Sequence, residues 1–358
     1  MLCIVVGTRP EIIKMSSIIR FAVASGRSYR VVHTGQHYSH AMDGVFFADL
    51  GLPPPDVNIA VGSGSHGDQT GRMLRDLEKI FAEVRPTAVL VQGDTNTVVA
   101  ASLGATKLGI EVGHVEAGLR SYARSMPEEV NRIVADHISD YLFAPTQTAA
   151  ENLAREGIDS SVFVTGNTIV DAVQDHLPRA RRQSDVLHRL GLAKSGYLLL
   201  TAHRQENVDD EGRLRSILDG LDRVARKSGL GVIFPVHPRT VKRIEEMAVE
   251  VPEAVRMVDP VGYLDFLLLI ENSALVLTDS GGIQEEACVL GVPLLTLRDN
   301  TERPEAIAVG SSILVGTDAD RIEAGFDEMW GRTGWDNPFG DGTAGERIAE
   351  LLVAAGCW

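Results

Sequence analysis

Leu277-Thr278-Asp279-Ser280-Gly281-Gly282-Ile283-Gln284-Glu285-Glu286 is the stretch whose reading decides the fold. An apolar strand, Ala274 to Leu277, runs into a Ser-Gly-Gly turn. A polar helix start follows and continues through Ala287, Cys288, Val289 and Leu290. Two adjacent glycines let the backbone approach a ligand closely. The opening turn of the helix offers N–H groups without helical partners, at the positive end of its dipole. That combination is a phosphate cradle. Glu285 and Glu286, read as lying just inside the first turn, are placed to accept from ribose hydroxyls. The plainer alternative is a tight turn with acidic helix capping.

Outward from this stretch, short apolar runs alternate with helix-like segments. In the first half they are Leu2–Val6, Arg30–His33, Ala88–Gln92, Val112–Val115, Tyr141–Ala144 and Val162–Thr165. In the second half they are Tyr197–Ala202, Val232–Val236, Val255–Val258, Leu275–Thr278, Leu294–Leu297 and Ile313–Val315. Continuous apolar runs of this length suit strands covered on both faces, and alternation with helices implies parallel sheets. A chain of 358 residues is too long for one ordinary core. The expected fold class is therefore α/β, with two Rossmann-like, doubly wound domains. The expected domains are 1–170 and 171–336, with 337–358 as a turn and helix packing back on the first. The segment Asp171 to Gly196, rich in Arg, His and Asp, reads as the helix and linker between the halves.

The formal net charge of −15 argues against non-specific binding to nucleic acid or to anionic membranes. Any anionic ligand must be met by local basic residues. The three cysteines, Cys3, Cys288 and Cys357, show no CxxC spacing, so neither a zinc nor a redox motif is present. Cys3 and Cys288 sit in apolar contexts and read as buried small residues. Met1–Val6 lacks the basic start of a signal peptide, and no stretch approaches the 18 apolar residues of a membrane span. The reading is a soluble cytoplasmic protein without membrane or nucleic-acid partners.

In doubly wound folds ligands bind beyond the carboxyl ends of the strands, and the polar clusters of this chain fall there. Gly7-Thr8-Arg9-Pro10-Glu11 follows the first strand, with Arg9 able to clamp a phosphate and Lys14 on the next helix. It lacks the GxGxxG dinucleotide pattern. Thr34-Gly35-Gln36-His37-Tyr38 follows the second strand; a Gly/Ser loop, 62–67, precedes a helix carrying Gln69 and Arg72. Asp94, in Gln92-Gly93-Asp94-Thr95-Asn96, suits a base, a metal ligand or a helix N-cap. Glu116 follows the next strand, and Pro127 opens a helix carrying Glu128 and Glu129. Three carboxylates converging on one crevice are costly unless some are protonated or paired, an arrangement that suits proton transfer. A metal is the rival use, disfavoured because no His/Asp pair has helical ligand spacing nearby. In the second half, His203, His237, Arg239 and Arg303 stand at strand ends. Leu297-Arg298-Asp299-Asn300-Thr301-Glu302-Arg303-Pro304-Glu305 is an unusually charged loop for its position, which favours function.

Taken in order, GTRPEIIK, TGQH, QGDTNT, GHVEAGLRS, PEEVNR, PTQTAAENL, TGNTIVDA, TAHRQEN, PVHPRT, TDSGGIQEE, RDNTERPE and NPFGDG resemble the non-hydrolysing UDP-N-acetylglucosamine 2-epimerases over nearly the whole chain. The resemblance implies a GT-B-like pair of Rossmann-type domains facing a cleft, a homodimer, and no metal, nicotinamide or other cofactor. It implies reversible conversion of UDP-GlcNAc to UDP-ManNAc: UDP leaves C1 as the C2 proton is removed, giving a 2-acetamidoglucal, and then adds back. The family's catalytic acids fall on Asp94, Glu116 and Glu128, and His203 matches the group that stabilises the departing diphosphate. Arg9, Ser280 and Gly281 match diphosphate contacts, with Gly282 beside them; Glu286 matches the ribose contact and Arg303 the sugar side. Lys14 and His237 are counted with these substrate-binding residues. Gln36, His37 and Arg72 match parts of a second, activating UDP-GlcNAc site found in some members. The loop from EAGLR to PEE is shorter than in many bacterial members, and PVHPRT replaces PVHxNP. The SGSHGDQTG and SMPEE forms also resemble the branch that epimerises UDP-2,3-diacetamido uronic acids. A GT-B glycosyltransferase, a hydrolysing epimerase and a non-catalytic sugar-nucleotide sensor are the competing readings.

Overall fold

The computed structural model describes residues 1–35 and 46–358. The chain divides into two units, Met1–Ala172 with Phe339–Trp358, and Val173–Pro338. The first unit holds strands β1 (Leu2–Val6), β2 (Tyr29–His33), β3 (Val57–Asn58), β4 (Ala88–Gln92), β5 (Glu111–Val115), β6 (Tyr141–Ala144) and β7 (Val162–Val164). They form one sheet in the order β3-β2-β1-β4-β5-β6-β7, with every pairing parallel. The second unit holds β8 (Tyr197–Thr201), β9 (Gly231–Pro235), β10 (Val255–Val258), β11 (Leu275–Thr278), β12 (Leu294–Thr296) and β13 (Ser312–Leu314). Their order is β10-β9-β8-β11-β12-β13, again all parallel.

The apolar runs follow from this topology. β1, β4 and β8 are buried along their whole length because helices cover both faces of such sheets. In the first unit Met73, Leu77 and Phe81, from helix His66–Val84, pack on Val5, Val89 and Val91, together with Ala101 and Ala105 from helix Asn96–Lys107. In the second, Leu214, Leu218 and Leu221 of helix Glu211–Ser228 share a core with Leu198, Leu200, Leu275 and Leu277. One strand is additional to the apolar runs: β3 is two residues long and pairs only with β2. Pro53, Pro54 and Pro55 precede it, and proline cannot donate to a ladder, so this edge stays short. The last helix, Ala344–Ala354, belongs to the first unit, where Asp171 accepts from the N–H groups of Ala344 and Gly345 at 3.3 and 2.8 Å. Among the described residues no helix is long and apolar enough to cross a membrane.

Both sheets begin in the order third, second, first, fourth. The winding direction therefore reverses between the first and fourth strands, and ligands of doubly wound sheets bind in the crevice outside that point. In the first unit the crevice lies between β1 and β4, whose ends carry Thr8-Arg9 and Asp94; β5, beside β4, adds Glu116. In the second it lies between β8 and β11, whose ends carry His203 and Asp279 to Gly282.

The turn after β5 depends on Gly118. Its φ is +82°, and a Cβ there would stand 2.2 Å from the Ala149 carbonyl oxygen. Left-handed strain and overpacking each cost roughly 1–3 kcal/mol. Gly118→Ala is expected to lower stability by roughly 2–6 kcal/mol in urea denaturation.

Candidate functional site

In the first unit, Glu11 ties together the turns that leave β1 and β4. Its carboxylate accepts from the N–H of Gly7 and, at 2.9 Å, from the N–H of Thr8, while the Thr95 hydroxyl donates to its other oxygen. Thr8 and Glu11 have the T-x-x-E spacing of a capping box, the sequence signal that marks this residue. Burial pushes the Glu11 carboxyl up to about 7, against those three hydrogen bonds and with help from neighbouring Asp94.

Two of the candidate carboxylates, Glu116 and Asp94, are each paired with a cation. Glu116 is buried with a left-handed φ of +69°, in a turn where its N–H donates to the Phe143 carbonyl. Its Oε2 forms an ion pair with buried Lys14 and accepts from Gln92 Nε2 at 2.6 Å. Asp94, with 28% of its side chain exposed, is paired with Arg132 at 2.5 Å, and Asn131 donates to its carbonyl oxygen at 2.8 Å. Arg132 also reaches Glu129 at 2.7 Å. Glu129 in turn accepts from the N–H groups of Ser121 and Tyr122 and from the Ser121 hydroxyl. Burial opposes charge on Glu129, but those donors and Arg132 outweigh it and hold the carboxyl below the ordinary Glu range. Glu129 thus fastens the loop ahead of helix Pro127–Ile138, beyond complementing the helix dipole. Glu128, half-buried on the same helix, has no side-chain hydrogen bond or ion pair among the described residues. The cost expected of clustered carboxylates is met by two cations on two helices.

Arg9 opens helix Arg9–Ser25 with its guanidinium over the Phe46 ring, 5.2 Å from the centroid. Arg72 donates to the Val61 carbonyl at 2.9 Å and to Asp68 at 2.6 Å. Gln36 and His37 lie outside the described residues.

In the second unit the Ser-Gly-Gly turn leads into helix Gly281–Leu290, with Ser280 as N-cap. Among the described residues nothing beyond its chain neighbours and the helix's own backbone lies within 4 Å of where a Gly282 Cβ would stand, so the helix start is open there. At Gly281 a Cβ would meet the Arg303 guanidinium at 3.3 Å, so the glycine lets the buried arginine lie against the turn. Glu285 and Glu286 fall in the second helical turn, not the first, and both are buried. Glu285 is thereby removed from helix capping; its Oε1 pairs with Arg303 Nε at 2.7 Å. Glu302, one residue earlier, is held by fully buried Arg298 through two bonds of 2.7 and 2.8 Å. This bidentate pair anchors the charged loop that carries Arg303.

His203 is not a buried histidine satisfied by backbone, the plainer expectation for it. Its side chain is 56% exposed, and Nδ1 stands 3.1 Å from Asp279 Oδ1. Asp279, fully buried, also accepts from the N–H groups of His203 and Arg204 at 3.0 and 2.9 Å and from Asn207 at 3.2 Å. Burial alone would raise the Asp279 carboxyl; His203 and those N–H groups outweigh it and hold it below the ordinary Asp range. His237 caps helix Pro238–Glu246, its Nδ1 accepting from the Arg239 N–H at 3.2 Å. It lies at the end of β9, one strand away from the crevice between β8 and β11. Among the described residues no cluster of His, Cys, Asp and Glu has the arrangement of a metal site.

Two doubly wound sheets, one with cation-paired carboxylates and the other with a Ser-Gly-Gly helix start at the reversal point, define a GT-B-like α/β protein. The family model for UDP-N-acetylglucosamine 2-epimerase matches residues 22–353. The chain is 49% identical to the UDP-N-acetylglucosamine 2-epimerase of Methanocaldococcus jannaschii over 98% of each chain. It is 41% identical, again over 98% of each, to the UDP-2,3-diacetamido-2,3-dideoxy-D-glucuronate 2-epimerase of Pseudomonas aeruginosa. The crystal structure of the M. jannaschii enzyme in complex with UDP-GlcNAc and UDP superposes with a TM-score of 0.93 over 99% of each chain. The chain therefore belongs to the UDP-N-acetylglucosamine 2-epimerase family, a family of isomerases.

Glu11 provides a pH test of the first crevice. Its folded-state pKa is raised from 4.5 to about 7, so the folded protein binds this proton more tightly than the unfolded chain. The associated stability is complete below about pH 4.5 and is lost as pH rises through about 7, a change of about 3 kcal/mol. Glu11→Gln cannot ionise, so denaturation midpoints of wild type and variant are expected to diverge in the variant's favour over that window. An unchanging difference contradicts the assignment.

Proposed function

We propose that this protein interconverts UDP-GlcNAc and UDP-ManNAc at C2 without releasing the sugar. The observation that carries the reading is the placement of Asp94 and Glu116, each paired with a cation, at one strand reversal, and of the His203, Ser280-Gly-Gly and Arg303 group at the other. In the proposed reaction a carboxylate of the first unit takes the C2 proton as the C1–O bond to UDP breaks and a C1=C2 double bond forms. The proton then returns to C2 from the opposite face as UDP adds back to C1. Asp94, Glu116 and Glu128 are the proton-transfer groups. Proton removal and return on opposite faces require at least two of them.

In this reading UDP stays bound throughout. Arg9, Ser280, Gly281 and Gly282 contact the diphosphate, with the helix dipole favouring its charge. His203, oriented by Asp279, stabilises the negative charge that grows on the departing diphosphate. Glu286 takes the ribose and Arg303 the sugar side. Lys14, paired with Glu116, is a further substrate contact in this reading. His237 is the outermost of the contacts proposed. Retention of UDP separates an epimerase from a hydrolase, and closely fitted cation and N–H donors are the means of retention.

The 41% identity to the P. aeruginosa enzyme favours one second reading, the same chemistry on a UDP-2,3-diacetamido uronic acid. Incubation with each sugar nucleotide, followed by chromatographic separation of epimers, decides between them. UDP-ManNAc forming from UDP-GlcNAc supports the first reading. Turnover of the uronate alone supports the second, and free ManNAc with UDP contradicts non-hydrolytic epimerisation. Asp94→Asn is expected to lower kcat by roughly 10³-fold or more while circular dichroism stays unchanged; near-normal turnover removes Asp94 from the chemistry.

A further inference from the structure

Behind the two carboxylate-bearing turns lies a charged cluster that neither proton transfer nor UDP binding uses. His114, in β5, is completely buried. Its Nδ1 stands 2.7 Å from Asp136 Oδ1 and its Nε2 2.8 Å from the carbonyl oxygen of Gly93. A carbonyl oxygen can only accept, so Nε2 carries a hydrogen. Asp136, also fully buried, accepts at Oδ2 from Arg120 Nη1 at 2.7 Å and from the Gly118 N–H at 3.2 Å. Arg120 and His114 outweigh burial and hold the Asp136 carboxyl below the ordinary Asp range, and an ionised Asp136 takes a hydrogen from Nδ1 of His114. A neutral imidazole would turn a lone pair toward one of two acceptors. The charged groups around the ring are Asp136, Arg120 and Glu116, and Arg120 is further balanced by Glu156 through bonds of 2.7 Å. Burial opposes a charge on His114, but Asp136, the Gly93 carbonyl and Glu116 together raise its pKa above the ordinary histidine value.

The cluster's contacts fall on the two turns that matter. Gly93 directly precedes Asp94, and Gly118 follows Glu116 by two residues. Asp136 grips the second turn directly, and the first through His114. Both turns contain a left-handed residue next to a candidate catalytic group, Gly93 at φ +83° and Glu116 itself at φ +69°. Glycine adopts this conformation freely, but at Glu116 it persists only where the surroundings over-determine it. Misplacement of a reacting group by about 1 Å costs on the order of 10²-fold in rate.

We infer that His114 is a positioning residue for the epimerase reaction, held as an imidazolium between Asp136 and the Gly93 carbonyl so as to fix the Asp94 turn and place a permanent positive charge beside Glu116. The inference rests on the epimerase reading for its kinetic consequences but not for its protonation state. The test therefore has two arms. In the first, protein labelled with ¹⁵N-histidine is examined by long-range ¹H–¹⁵N NMR at neutral pH without substrate. His114 is expected to show hydrogens on both ring nitrogens in the wild type and on one only in Asp136→Asn. A neutral His114 in the wild type overturns the inference.

In the second arm, His114→Gln is expected to lower kcat on the order of 10²-fold while KM and the calorimetric affinity for UDP stay within about twofold. A kcat within about twofold of wild type, or a loss confined to KM, overturns the inference. Asp136→Asn gives the same kinetic comparison where His114→Gln does not fold. A wild type that turns over no sugar nucleotide refutes the epimerase reading, while the NMR arm still decides the imidazolium.

Discussion

The ion pair between Lys14 and Glu116 is the constraint on which the rest of the N-terminal unit depends. A carboxylate set at the end of a strand buried on both faces loses most of its hydration, which costs several kcal/mol unless a cation is supplied. That cation comes from the helix that follows β1, so the path of the first βα turn is fixed by the needs of a residue 102 positions away. Glu11 on the same helix binds the turn back to Thr95, next to Asp94. Arg132 repeats the device from another helix, joining Asp94 to Glu129 and so to the loop at Ser121 and Tyr122. Arg132 thereby couples two carboxylates, so a change at one is felt at the other.

The C-terminal unit solves the converse problem. In the proposed function it presents positive charge to an anion in a chain whose net charge is −15. In that reading Arg303, paired with buried Glu285, supplies charge and His203 faces buried Asp279, while Arg298 and Glu302 form a fully buried pair that anchors the loop. The carboxylates orient the cations and keep the side chains from folding away. The helix that starts at Gly281 adds N–H groups with no side chain in their way. Placement of both sites at the reversal of a doubly wound sheet is what allows so few residues to assemble them, because adjacent strands end side by side there.

Much of this was legible in the sequence, for a physical reason. Among the described residues twelve of the thirteen strands appeared as apolar runs, the central ones because both their faces are covered. β3 did not, because two residues after three prolines leave no pattern to read. Asp94, Glu116, His203 and the Ser280-Gly281-Gly282 turn stood out because polar residues directly after apolar strands must face a crevice or solvent. The partners were hidden. Nothing in the spacing of Lys14 and Glu116, or of Arg132 and Asp94, shows that they meet, since those contacts are set by strand order. Glu285 and Glu286 were placed one helical turn too early, because a glycine pair does not show at which residue the helix begins. His114 and Asp136 carry no signal of their own in the sequence; they stand out only where both ring nitrogens face acceptors.

Transfer of the C2 proton to and from a carboxylate is the central claim, and proton NMR of the protein with UDP-GlcNAc in D2O tests it most directly. Exchange with solvent at the protonated carboxyl leaves a deuteron to be returned to carbon. UDP-GlcNAc and UDP-ManNAc should both accumulate deuterium at C2 as the mixture approaches equilibrium. UDP-ManNAc that forms with its C2 hydrogen retained would contradict carboxylate-mediated proton transfer.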